Sequence, residues 1–160
     1  MRHLPAAALL AATAAVHAAP PTGAQRAALL DAIRPAAAAM AGQPVRIKVG
    51  TFNVDRGWAL LIGGLVRPDG GELDWAKSEE CDNGLDKSLF VIAHEVAGKW
   101  VVRHLEECPG DPPWEQPRDY DGLDLPCGIY DGVDSIYEDK PKDLCLDHQR
   151  RRAAARKSTR

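Results

Sequence analysis

The chain has 160 residues, 45% of them hydrophobic and 27% charged, with a formal net charge of -3. That length and composition suit one globular domain with a real core and leave too little chain for two. No run approaches the roughly 20 apolar residues that cross a bilayer. The charge is unevenly spread: between Glu106 and Asp147 thirteen acidic residues face three basic ones, whereas Arg150 to Arg160 carries six basic residues and no acid.

Arg2, the apolar run Leu4 to Val16 and the sequence Val16-His17-Ala18 have the layout of an export signal, with cleavage expected after Ala18 and residues 1-18 removed. Pro20 and Pro21 separate that segment from the next helix. Thr22 followed by Gln25 predicts a capping box, and Leu29, Ile33, Ala36 and Met40 recur at helical spacing. Gly42 offers a left-handed stop, Pro44 prevents continuation, and Pro35 predicts a kink or two short helices.

Val45, Ile47 and Val49 then alternate with polar residues as in a half-buried strand, and the apolar set shifts by one to Phe52 and Val54, which predicts a bulge near Gly50. Asp55-Arg56-Gly57 predicts a tight turn into Trp58 to Val66, a run apolar enough for a central strand, with a close backbone approach at Gly63-Gly64. Leu73 and Trp75 are expected against the sheet edge. Leu89 to Val96 and Lys99 to Leu105 flank Ala97-Gly98 and predict a second hairpin.

The expected fold is α+β: an N-terminal helix packed on a curved antiparallel sheet of about four strands, with an irregular, disulfide-fastened C-terminal segment. The expected divisions are 19-105 for the core, 106-148 for an acidic loop extension and 149-160 for a basic disordered tail. The tail's simplest alternative is to fold back on the acidic segment before it.

Cys81, Cys108, Cys127 and Cys145 form no C-x-x-C pair, and an even count in an exported chain points to disulfides in a periplasmic or secreted protein. Three pairings are open. The preferred one joins Cys81 with Cys108, which flank the second hairpin, and Cys127 with Cys145, which would fasten a segment with little core of its own.

The pieces ALLDAIRP and GQPV, the strand opening Trp58-Ala59, the Asp82-Asn83-Gly84 turn and Gly98-Lys99-Trp100-Val101-Val102 resemble a group of small bacterial proteins that carry signal peptides. Their helix-plus-curved-sheet plan is similar to cystatin-like or nuclear-transport-factor-like domains. The resemblance covers roughly residues 25-105 and implies a fold; it supplies no catalytic residue.

Catalytic motifs are absent from the sequence. His94-Glu95 lacks the second histidine of HExxH, because Gly98 stands in its place. No serine lies in a G-x-S-x-G elbow, and neither phosphate-cradling glycine motif occurs. Pairing about Ala97-Gly98 sets Glu95 opposite Trp100 and His104 opposite Val91, so that Glu95 and His104 would share a face some 13 Å apart, on the order of four residues of strand. His94 would share the other face with Arg103.

The acidic segment holds a repeat: Tyr120-Asp121-Gly122-Leu123-Asp124 recurs as Tyr130-Asp131-Gly132-Val133-Asp134. Asp121, Asp124, Asp131 and Asp134 are thus candidate calcium ligands, although the EF-hand spacing is missing and Asp-Gly is ordinary turn chemistry. No other cofactor is indicated. The basic tail is too short and too poor in aromatics for a nucleic-acid partner. The expected function is a non-enzymatic envelope protein that binds a protein or small ligand. The alternative is a small nuclear-transport-factor-like enzyme or carrier with a cavity between helix and sheet.

Overall fold

The computed structural model describes residues 21-81, 86-136 and 138-158. The signal segment and the Asp82-Asn83-Gly84 turn lie outside them. Helix α1 (Gly23–Met40) begins at the expected capping box: the Thr22 hydroxyl accepts from the Gln25 N–H while the Gln25 side chain accepts from the Thr22 N–H. It ends as Gly42 turns left-handed, at φ 63°. The helix runs through Pro35 unbroken, where a kink or two helices were expected. The lost backbone bond and the ring clash are offset by packing on either side, because Leu29, Ile33, Ala37 and Ala41 are all buried on one stripe. Ala36 and Met40, expected on that stripe, sit at its half-buried flank.

Four antiparallel strands follow in sequence order, β1 (Arg46–Asp55), β2 (Trp58–Val66), β3 (Ser88–Val96) and β4 (Lys99–Glu107). Arg56-Gly57 and Ala97-Gly98 have positive φ at both turn positions, the two-residue hairpin geometry that matches strand twist. The expected bulge lies between Val49 and Thr51. It brings Ile47, Val49, Phe52 and Val54 to the same face, where they pack with α1, Leu61, Leu65, Leu89 and Val91. The close approach at Gly63 is to the Lys48 carbonyl oxygen, which a β-carbon there would strike.

A second bulge corrects the expected register of the other hairpin. Glu95 pairs with Trp100 as expected, but the ladder shifts between Ile92 and Ala93, so His104 stands opposite Ile92 rather than Val91. Packing explains the shift: with Arg103 as the extra residue, Trp100, Val102 and Leu105 all join the α1 face. His104 therefore moves to the opposite face from Glu95.

That opposite face is covered by the C-terminal third. Leu60, Phe90 and Ile92 from the sheet form a core with Leu123, Leu125, Ile129, Tyr130, Val133 and the cystine sulfurs. The cover is irregular, as expected for residues 106-148, and consists of 3-10 turns at Pro113–Glu115, Gly122–Asp124 and Cys127–Tyr130. It is nonetheless a second layer with its own core. Helix α2 (Pro141–Ser158) closes it. Residues 149-158, expected as a disordered tail, are the end of this helix, which corrects that reading. Its first half is anchored by buried Cys145 and by Leu144, and its cations reach back to acids of the preceding segment.

Both preferred disulfides form. Cys81 pairs with Cys108 at a Cα separation of 5.3 Å and Cys127 with Cys145 at 5.6 Å, and no described cysteine is free. The cystines fit an oxidising compartment, periplasmic or extracellular. Among the described residues no helix is long and apolar enough to cross a membrane.

Candidate functional site

The C-terminal cover stops short of one end of the sheet. Leu60 and Ile92 beneath it are 0% and 2% exposed, whereas the next residues outward on that face, Trp58 and His94, are half-buried. Trp58 is the first residue of β2, placed by the tight turn at Arg56-Gly57, and it pairs directly with His94. Their rings stack with centroids 4.1 Å apart and planes 11° from parallel. Across β4, Val101 stands opposite His94 and is 40% exposed; Val96, two residues beyond His94, is 43% exposed opposite Lys99. An indole, an imidazole and two valines thus line the sheet end. This patch meets water.

Two polar side chains of the C-terminal face are satisfied by its cover. The Asn53 side chain donates to the carbonyls of Ile129 and Asp131 at 2.9 and 2.6 Å, and the buried Asp55 carboxylate accepts from the Gly128 N–H at 3.1 Å. These bonds satisfy backbone groups that a 3-10 turn leaves open. The two repeat tyrosines meet, with hydroxyls 3.0 Å apart, and Gly122 lies so close to both that a β-carbon would collide with them. Burial pushes Tyr130 up to about 12 and raises Tyr120 further, the latter also by the neighbouring Tyr130 and by Glu106.

His104 stacks on Tyr120 with centroids 5.4 Å apart, and its Nε2 meets Glu106. A small acidic cleft of about 250 Å³ opens beside this group, lined by Glu106, Asp111, Asp119 and Tyr120. Glu95 is exposed on the other face and takes no part. Neither His94 nor His104 is within a described contact of Glu95.

The four calcium candidates are dispersed among ionic partners. Asp124 meets His148 and Arg152, and these hold its carboxyl below the usual carboxylate range. Asp131 pairs with Lys142 and Asp134 with Lys140, while Asp121 takes a left-handed turn position on the surface. Among the described residues no group of three or more His, Cys, Asp or Glu is placed to hold a metal ion. The repeat's tyrosines and Gly122 serve packing, and its aspartates serve turns and ion pairs.

The interface between α1 and the sheet is filled by Leu29, Ile33, Ala37 and Phe52 against Leu61, Val91 and Ala93. A concavity of about 610 Å³ lies instead along the outer flank of α1, between Asp31, Arg34, Ala38 and Val45, open to solvent. One charged group is buried at the opposite end of the sheet from the patch. Glu107, 3% exposed, accepts from the Ser78 hydroxyl at 3.0 Å through one oxygen; the other has no partner among the described residues, and burial raises its pKa.

Sequence reasoning placed Trp58 in an apolar central strand and did not single out the sheet end it shares with His94. The signal it passed over is the pair Val96 and Val101 flanking a two-residue turn, where polar residues are the norm. Compared with protein-family models, with curated proteins and with solved structures, the chain gives no match.

Proposed function

We propose that this protein is an exported, non-enzymatic binding module, a cystatin-like or nuclear-transport-factor-like helix-plus-sheet domain that docks a protein partner on the open end of its sheet. The observation that carries the reading is the patch of Trp58, His94, Val96 and Val101, where two valines stay exposed beside a half-buried, stacked indole and imidazole. Aromatic residues at the centre of an apolar surface, rimmed by charge, are the usual composition of a docking hot spot. Export follows from the N-terminal address, with cleavage near Ala18, and the two cystines fit it. The alternative of an enzyme or carrier with a cavity between helix and sheet draws no support from the filled α1 interface.

The test is cross-linked co-purification of the oxidised mature chain from the periplasm, compared with V96D/V101D and with L146D, a control at an exposed position on α2. All three chains should melt alike, and a partner should be lost with V96D/V101D alone. A partner retained by V96D/V101D would overturn the reading.

A further inference from the structure

The patch has cations at its rim, while the neighbouring exposed acid, Glu95, lies on the opposite face of the strand. Lys99 faces Val96 across the β3-β4 ladder, and Arg103, the bulged residue of β4, lies four positions further along the same strand. Both are exposed, and neither has an ion pair among the described residues. Arg56 lies in the adjacent hairpin turn, its guanidinium reaching the buried Asp55 while its side chain remains 62% exposed. Most cations of the C-terminal third are held differently, although Arg118 and Lys157 also have no ion pair among the described residues. There Lys140, Lys142, Arg150, Arg151 and Arg152 are all paired with Asp134, Asp131, Asp147 or Asp124. In a chain with more acid than base, the cations of β4 are left available beside the exposed Val96 and Val101.

We infer that the docking surface takes an acidic polypeptide segment, one that sets an apolar side chain against Trp58 and Val101 while its carboxylates meet Lys99 and Arg103. This inference rests on the docking reading above. Opposite charge at a rim mainly raises the rate of encounter and rejects wrongly charged partners, whereas the apolar centre holds the complex together. Binding should therefore weaken with added salt and depend on both sets of residues. The Asp55 carboxylate does not neutralise the rim, because it is buried and accepts from the Gly128 N–H as well as from Arg56.

The probes are a short fluorescent peptide alternating Glu with Leu, its counterpart with Lys in place of Glu, and vesicles containing phosphatidylglycerol. The full mature oxidised chain should bind the acidic peptide and not the basic one, and raising salt should weaken that binding. K99E/R103E should weaken it about tenfold or more at low salt while leaving the melting temperature unchanged. Equal binding of the two peptides, or no effect of K99E/R103E, overturns the inference. Vesicle binding lost in K99E/R103E, with no peptide binding, also overturns it, in favour of a lipid surface. The two proposals fail separately: a partner whose capture depends on Val96 and Val101 but not on Lys99 and Arg103 leaves the docking reading intact and removes only the acidic segment.

Discussion

One face of the sheet is covered by a single capped helix whose backbone bonds to itself, the other by three 3-10 turns and a helix whose second half lies in solvent. The α1 face is a stripe of Leu29, Ile33, Ala37 and Ala41 on aliphatic strand residues, and apolar burial alone accounts for it. The C-terminal face is aromatic and needs fasteners: a cystine, the Asn53 amide, the Asp55 carboxylate and the Gln149 side chain on the Leu125 carbonyl. A regular element arrives with its backbone satisfied, whereas an irregular one must borrow donors and acceptors from its support.

The comparison can be broken from either side. Ile33→Ala opens a cavity under α1, and a loss of about 3 to 4 kcal/mol is expected by denaturant unfolding, with both faces melting together. Removing the Cys127–Cys145 bridge, which closes a separation of 18 residues, should cost about 3 kcal/mol. Hydrogen exchange should then show the C-terminal cover opening while the α1 face stays protected; simultaneous loss of both would mean the two layers are one cooperative unit.

The tyrosine pair sharpens the same contrast through pH. Because Tyr130 and Tyr120 hold their protons more tightly when folded, stability is full below the ordinary tyrosine value near 10 and falls as pH rises from there to about 12 and beyond. The contribution of Tyr130 alone is about 2 to 3 kcal/mol. Tyrosinate absorbance should show both hydroxyls resisting ionisation at pH 11 in the folded chain and titrating normally in urea. Asn53→Ala should cost about 2 kcal/mol, since two carbonyls of the cover lose their donor. A cost below the usual surface scatter would show that water replaces the amide.

The smallest expected effect has the opposite sign. Glu107 has a raised pKa, so its favourable state is the protonated one, present at acid pH and lost as pH rises through the folded value. Glu107→Gln keeps an acceptor for the Ser78 hydroxyl and removes the buried charge. It should stabilise the protein at pH 7 by about 1 kcal/mol and have little effect near pH 4, measured by denaturant midpoints.

How legible this was depended on the distance over which each feature is decided. The Thr22 cap, the Gly42 stop, both hairpin turns and the Gly50 bulge depend on residues within one turn or one ladder step, and all could be read. The Arg103 bulge carries the same signature as the one at Gly50, an apolar set stepping by one from Trp100 and Val102 to Leu105. It was legible in principle, and overlooking it put His104 on the wrong face. The cover is different, because 3-10 turns have no periodicity and an acidic segment has the composition of solvated loop. Likewise α2 has almost no apolar stripe beyond Leu144 and Cys145, so its docked half left no periodic pattern, and only the charge contrast between tail and acidic segment pointed to contacts such as Arg152 with Asp124.

The sequence by itself determined the helix with its caps, the order and turns of the four strands, and the even cysteine count that points to two cystines. Each is a local matter of φ, side-chain period or spacing. Only the tertiary structure decided that the acidic third folds back as a second layer, and that this layer leaves Trp58 and His94 half-buried. Which residues cover a sheet face, and where the cover runs out, is settled by contacts between segments such as Asn53 and Ile129, 76 residues apart, whose partnership is written in neither segment alone.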